Sequence, residues 1–276
     1  MEKIVITHDC GFYSNCSIRL KKIIDYYNIN KKYPIVDSSN QWNQYKDKPG
    51  DITNIFFKEN SDNNLISDYI DYDESKEQQF SEYNQLDFEN LKKLIDKYFS
   101  TTDTIESIIS SLIDKYNIDL SKTIGIYYRG NNKETETNLP RYEDMLFKLI
   151  EVKSLYPNHR ILIQSDEVEF YDFILKTFPD SLFFDEVARI KKNSNDHVQS
   201  NINIGQRTTQ AKLFHSIVLI ISRCSKVILN SGNVGIWICL YRGNFDGVYQ
   251  YLNHKEYIHG SYNKNYKVLD NNWIQN

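Results

Sequence analysis

The chain has 276 residues, of which 40% are hydrophobic and 25% charged, with a net charge of -4 and a pI near 5.9. That balance suits one large globular domain or two ordinary ones able to bury a core. It carries no basic stripe of the kind that makes a broad nucleic-acid surface.

Lys, Asn, Ile and Tyr dominate, a bias that AT-rich codons alone would give. The four cysteines, Cys10, Cys16, Cys224 and Cys239, show no CxxC spacing and no neighbouring histidines at zinc-finger spacing. Reduced thiols in a cytoplasmic or otherwise intracellular protein are the expectation. MEKIVITHDCG enters a strand pattern directly, without the apolar core of a secretory signal. The run Ile217–Ile221 is too short to span a bilayer, so a soluble protein is expected.

In chain order, KIVIT (3–7) reads as a buried strand, followed by the turn-rich HDCGFYSN. Ser17 to Tyr27 places Ile18, Leu20, Ile23, Ile24 and Tyr27 on one helical face. Tyr33 to Asp37 is the next strand, which completes a β–loop–α–β unit. Residues 41 to 80 are polar and irregular, with a short strand at Asn54–Phe57. Helices follow at Phe88 to Tyr98, capped by Asp87, and at Thr104 to Tyr116.

The β–α rhythm restarts after residue 118. Strands are expected at Thr123–Tyr128, Arg160–Gln164, Leu182–Phe184 and Lys226–Leu229. Helices are expected at Tyr142–Ser154, Glu167–Thr177, Gln210–Cys224 and Val234–Tyr241. Such alternation predicts an α/β fold of two Rossmann-like domains, 1–118 and 119–276, each with a parallel sheet. The C-terminal tail is expected to pack back on the first domain.

Ligands in such sheets bind beyond the carboxyl ends of the strands. Four loops sit there: Asp9–Asn15, Arg129–Lys133, Gln164–Glu167 and Asn230–Asn233. Arg129 ends a strand with a permanently charged, fork-shaped guanidinium, suited either to phosphate oxygens or to a surface ion pair. Gly130 lets the backbone approach a ligand. NSGN (230–233) joins a strand to a helix, where Ser231 or Asn233 is placed to cap and free N–H groups are placed to take an anion. In QSDE (164–167), Asp166 either caps a helix or meets a ribose hydroxyl or base N–H. CGFYSN (10–15) is a glycine loop before a helix.

No GxxxxGK[ST], GxSxG, HExxH or DxD motif is present. Of the six histidines, His8 alone lies beside a strand-end loop.

The order of these features resembles the fucosyltransferase-like superfamily of GT-B glycosyltransferases, which includes the α1,6-, α1,2- and protein O-fucosyltransferases. CGFYSNCSIRLKKIIDYYNINKKYPIVD resembles their first-domain glycine loop and helix. Tyr127-Tyr128-Arg129-Gly130-Asn131-Asn132 stands at their HxRxxD-like strand end, ILIQSDE (161–167) at a Thr-Asp-like strand end, and VILNSGNVGIW (227–237) at the last Ser-rich turn.

The resemblance implies a GT-B-like fold with an interdomain cleft. It also implies an inverting, metal-independent transfer of a sugar, such as fucose from GDP-fucose, to a glycan or protein hydroxyl. No cofactor is implied beyond the nucleotide sugar as co-substrate.

By the same resemblance Arg129, with Gly130, Asn131 and Asn132, meets the donor's β-phosphate. Ser231, Gly232, Asn233 and Val234 hold the diphosphate, and Ser165 and Asp166 lie near the nucleotide. His8, Asp9, Gly11, Phe12, Tyr13, Ser14 and Asn15 approach from the first domain. The family's usual histidine is Tyr127 here, and its acidic motif end is Asn132. The helix Gln210–Cys224 lacks the family's acidic residue for the guanine edge, with His215 and Ser216 as its nearest polar candidates. Asp9, His8, Glu134 and Glu136 are the candidates for a general base. A catalytically silent nucleotide- or glycan-binding module with the same fold is the alternative.

Overall fold

The computed structural model describes residues 3–60, 69–72, 81–131, 133, 137–192, 198–253 and 272–276. Asn132, Glu134 and Glu136 lie outside the described residues.

The second half is built on a five-stranded sheet. Its strands are β5 (Thr123–Tyr128), β6 (Arg160–Ser165), β7 (Lys226–Asn230), β8 (Val248–Tyr251) and β9 (Trp273–Ile274), in the order β6-β5-β7-β8-β9. The first four are parallel and β9 is antiparallel to β8. All six residues of β5 are buried, because helices cover both faces of the sheet.

Strand alternation sorts them. Ile124, Ile126 and Tyr128 pack against α5 (Tyr142–Leu155) and α6 (Val168–Thr177) through Met145, Leu149, Phe170 and Ile174. Tyr127 faces the other layer, formed by α7 (Arg207–Arg223) and α8 (Asn233–Arg242). A Cβ on Gly125 would meet Ile221 at 3.2 Å, so the glycine lets α7 lie close to the strand.

In the first half, β1 (Lys3–Val5) pairs parallel with β2 (Ile35–Asp37) across α1 (Phe12–Asn30). Helix α1 ends at Lys31 in the left-handed region (φ 51°), whose N–H returns to the Tyr27 carbonyl at 2.8 Å. A 3₁₀ turn (Asn43–Tyr45) and α2 (Thr53–Phe56) lead into β3 (Phe57–Lys58), which pairs with β4 (Ser100–Thr101). Helix α3 (Phe88–Tyr98) begins on Asp87, whose carboxylate accepts the Asn90 N–H, and α4 (Asp103–Tyr116) follows β4.

The strand expected at Asn54–Phe57 is therefore a helical turn running into a strand. Phe56 and Phe57 are both buried, and the switch points both rings inward. The strand expected at Leu182–Phe184 reduces to one bridge, Leu182 to Leu162.

One apolar core runs through both halves. It joins Phe12, Tyr13, Phe57 and Phe99 to Ile217, Trp237 and Leu240, with the Phe99 and Trp237 rings 4.8 Å apart. Ser17 of α1 donates to the Asn233 side chain at 2.9 Å and accepts from Trp237 Nε1 at 2.9 Å. The expected return of the tail to the first half is corrected at its described end. Trp273 and Ile274 extend the second-half sheet, and Lys148 lies over the Trp273 ring.

Candidate active site

A cavity of about 540 Å³ opens at the carboxyl ends of β5 and β6 and at the turn between β7 and α8. This is the edge where parallel sheets present their loops. One wall comes from the first half, with Asp9, Gly11, Tyr13 and Ser14 ahead of and within α1, and Tyr45 from the 3₁₀ turn. The facing wall carries Tyr127, Arg129, Asn131, Lys133, Ser165, Asp166, Asn233 and Val234.

Arg129 is held from three directions. Its backbone N–H donates to Asn230 Oδ1 at 2.9 Å, and the Asn230 amide donates back to the Arg129 carbonyl at 3.0 Å. Asn230 thus ties the end of β5 to the end of β7. Arg129 Nη1 donates to the Asn131 carbonyl at 2.8 Å and pairs with the Asp166 carboxylate. The other Asp166 oxygen accepts the Gly130 N–H at 2.9 Å. The pair is half-buried, with side chains 30% and 14% exposed. The strand-end arginine is therefore ion-paired and also lines the cavity.

Asp166 does not cap α6. The residue before that helix is Glu167, whose side chain makes no capping bond. Glu167 is 2% exposed and accepts the Tyr142 hydroxyl. Burial raises its pKa, against the hydrogen bond from Tyr142. Its carboxylate occupies the space a Cβ on Gly130 would need, so Gly130 serves close packing here.

At the β7–α8 turn the expected hydroxyl contact is corrected. Ser231 is buried, and its Oγ donates to the Tyr251 carbonyl and accepts from Gln250, both at 2.9–3.0 Å. Gly232 has φ 147°, a conformation that favours glycine. Its N–H donates to the Tyr83 hydroxyl at 2.9 Å, and that hydroxyl donates to its carbonyl at 3.1 Å. Gly232 is the capping position of α8 and gives no side-chain cap. Of the four turn residues expected at the site, Asn233 and Val234 reach the cavity, at the positive end of the α8 dipole.

Two other expected residues sit behind the wall. His215 is fully buried, its Nδ1 hydrogen-bonded to the Tyr13 hydroxyl at 2.8 Å among Phe12, Phe56 and Phe57. Burial lowers its pKa to about 3, so the ring is neutral. Asn15 is also fully buried, and it staples the glycine loop by accepting the Cys10 N–H at 3.1 Å and donating to the Cys10 carbonyl at 3.0 Å. His8 is exposed and its Nε2 lies 2.9 Å from Cys10 Sγ, beside the cavity rather than on its wall. Asp9 does line the cavity, with its carboxylate bonded by the Asn43 backbone and side-chain amides at 3.1 and 2.9 Å.

The structure adds residues that the motifs did not reveal. Lys133 contributes a second cation three positions after Gly130; its place in the same loop was the available signal. Gln164 and Gln210 bring amides, and Val187, Ala188, Ala211 and Phe214 form an apolar side. Among the described residues no group of three or more His, Cys, Asp or Glu side chains could hold a metal ion. No described helix is long and apolar enough to cross a membrane.

No known protein-family model and no curated protein matches the sequence. The structure is similar to solved structures of NodZ alpha-1,6-fucosyltransferase. A form soaked with GDP-fucose matches at a TM-score of 0.54 and 14% identity, over 91% of this chain and 95% of that one. A form co-crystallized with GDP matches at 0.55 and 13%, over the same shares. Fucosyltransferase NodZ from Bradyrhizobium matches at 0.52 and 15%, over 83% and 88%. At these identities the likeness shows the fold alone, the GT-B-like α/β architecture that the order of sequence motifs had led us to expect.

Proposed function

We propose that this chain is a glycosyltransferase that uses a nucleoside-diphosphate sugar, with fucose from GDP-fucose as the donor suggested by the ligands of its structural neighbours. The observation that carries the proposal is the charge arrangement in the cavity. Arg129 and Lys133 share one wall with the N-terminus of α8. Among the described residues, Nη1 alone of the guanidinium is committed, to Asp166 and Asn131, and other N–H groups of the fork are placed for phosphate oxygens. The Asn233 and Val234 N–H groups supply the anion end of a helix.

In this account an acceptor hydroxyl enters along the first-half wall and attacks the anomeric carbon from the side opposite the diphosphate. The new C–O bond forms as the bond to the diphosphate oxygen breaks, which inverts the configuration. The charge that develops on the leaving diphosphate is met by Arg129, Lys133 and the helix end, preorganised before reaction. Charge neutralisation then falls to side chains, without a metal ion. Asp166 orients the guanidinium, and Asp9 is the described carboxylate placed to take the hydroxyl proton. The acceptor is a glycan or glycoprotein. The division of the chain near residue 118 belongs to the same account, with 1–118 as the acceptor side and 119–276 as the donor side.

One observation favours a second reading, a binding module without turnover. Both carboxylates on the cavity wall already accept hydrogen bonds, Asp9 from Asn43 and Asp166 from Gly130. Incubation with GDP-fucose and a glycan panel separates the two, with calorimetry run in parallel. Fucosylated product supports transfer. Tight binding without GDP release supports the silent module, and no binding to any nucleotide sugar overturns both.

A further inference from the structure

The amino end of α7 is capped by a residue from the other half of the chain. Gln206, the residue before the helix, makes no side-chain capping bond, and the first turn carries no acidic residue. Asp47 fills both roles. Its Oδ1 accepts the Gly205 and Arg207 N–H groups at 2.9 and 3.2 Å, and its Oδ2 accepts the Thr208 N–H at 3.3 Å. A carboxylate there satisfies N–H groups that have no partner within the helix and meets the positive end of its dipole. Thr208 Oγ1 adds a bond to the Tyr45 carbonyl at 3.3 Å.

Asp47 belongs to a loop built as one piece. Lys46 Nζ donates to the carbonyls of Ser39, Gln41 and Gly50 at 2.7, 3.2 and 3.2 Å, which ties the loop's two arms together. The same loop grips the first-half wall of the cavity. Asn43 donates to Asp9 from its backbone and its side chain. The Tyr45 hydroxyl accepts the Phe12 N–H at 2.9 Å, and Trp42 Nε1 donates to the Phe12 carbonyl at 3.2 Å. Gln44 and Tyr45 themselves line the cavity, as do Ala211 and Phe214 of α7. Asp47 thus joins the wall that carries Asp9 to a helix of the second half.

We infer that Asp47 is a positioning residue, whose clasp on α7 sets the first-half wall, and through Asn43 the Asp9 carboxylate, against the donor half. The inference rests on the transferase reading above and adds to it a group that acts through the loop rather than on a substrate. Without the clasp the loop keeps its bonds to α1 and loses its polar hold on α7. Arg129 and the β7–α8 turn are held by Asn230, Asp166 and Tyr83 instead, so diphosphate binding should not feel the change.

The test compares the wild type, Asp47→Ala and Asp47→Asn in hydrogen exchange, in calorimetric titration of inorganic pyrophosphate, and in fucose transfer from GDP-fucose to a glycan acceptor. In Asp47→Ala, exchange is expected to quicken at residues 205–208 and also in the segment carrying Asn43, whose N–H bonds Asp9. Pyrophosphate affinity should stay within about twofold, because the sites are independent. The kcat should fall by about ten- to a hundredfold, the scale of misplacing a reacting group by about an ångström. Asp47→Asn keeps an oxygen for the Gly205 and Arg207 N–H groups and should recover kcat to within about threefold, since Asn caps about as well as Asp. A merely structural cap would quicken exchange at 205–208 alone and leave kcat unchanged, and that result overturns the inference. So does a loss of kcat matched by an equal loss of pyrophosphate affinity. A wild type that transfers no sugar overturns the transferase reading and the positioning role together, whereas transfer by the wild type beside an equally fast Asp47→Ala overturns the positioning role alone.

Discussion

Replacing Gly130 by alanine probes how the Arg129 loop is built. Gly130 is not among the positive-φ glycines, so backbone strain plays no part. The added methyl group would land on the Glu167 carboxylate. That carboxylate is 2% exposed, is held by the Tyr142 hydroxyl, and follows directly on Asp166, which accepts the Gly130 N–H at 2.9 Å. Neither group can yield without disturbing the pair that orients Arg129. Overpacking of this kind costs about 1–3 kcal/mol. For a chain of this size, that lowers the melting temperature by roughly 2–6 °C. Diphosphate affinity should fall with it, because the Arg129 guanidinium moves with the loop.

The assay is thermal unfolding of Gly130→Ala, Glu167→Ala and the double variant. Glu167→Ala leaves the Tyr142 hydroxyl without its acceptor, at about 1 kcal/mol. It also empties the space the new methyl needs, so the alanine penalty should shrink to less than half in that background. A Gly130→Ala protein that melts with the wild type would refute the steric account. So would a penalty that survives unchanged in the Glu167→Ala background.

Two further outcomes follow from buried polar groups. Free histidine ionises near pH 6.5, whereas burial holds folded His215 near 3, with Arg223 acting in the same direction and Glu106 against it. As the pH falls from about 6.5 towards 3, the unfolded chain gains a proton that the folded chain refuses. Stability therefore drops by up to about 1.4 kcal/mol per pH unit. Urea unfolding of His215→Leu at pH 7 and pH 4.5 should show a smaller acid loss than the wild type, and an equal loss would count against a buried neutral ring. Ser17→Ala removes the hydroxyl between Trp237 and Asn233, leaving the buried indole N–H unpaired at about 1–3 kcal/mol. It should lower the melting temperature and weaken pyrophosphate binding a few-fold by loosening Asn233, and unchanged pyrophosphate affinity would remove Asn233 from the site.

The elements carried by simple local signals were legible in the sequence. Thr123–Tyr128 is a strand with the expected bounds, because six apolar or small residues ending at a charge and a glycine leave little choice. Phe88–Tyr98 likewise has its expected bounds, set by the Asp87 cap. The shared sheet edge was legible too, since Arg129, Asp166 and Asn233 each follow a strand and meet at one cavity. What pairing does to them was not. The Asp166 carboxylate on Arg129, and the commitment of Ser231 and Gly232 to Tyr251 and Tyr83, join residues 20 to 149 positions apart. His215 was, with Ser216, the nearest polar candidate on its helix, yet α7 is buried almost all round from Ile217 to Ser222, and the histidine goes in with it. Tyr45, Ala188 and Gln210 lie where no period or motif marks them, and they become a wall only once α7 and the 3₁₀ turn are packed together.

The most direct test of the central claim is calorimetric titration of GDP-fucose into the wild type and Arg129→Ala. The ion pair with Asp166 is partly exposed, so its loss should cost at most about 1 kcal/mol of stability. Loss of the guanidinium's bonds to the diphosphate should cost about 1.5–3 kcal/mol of binding, or roughly 10- to 150-fold in Kd. A wild type that binds, beside a folded Arg129→Ala that binds at least tenfold more weakly, is the predicted result. Equal affinity in the two proteins, or no binding to the wild type, would contradict a donor site at Arg129.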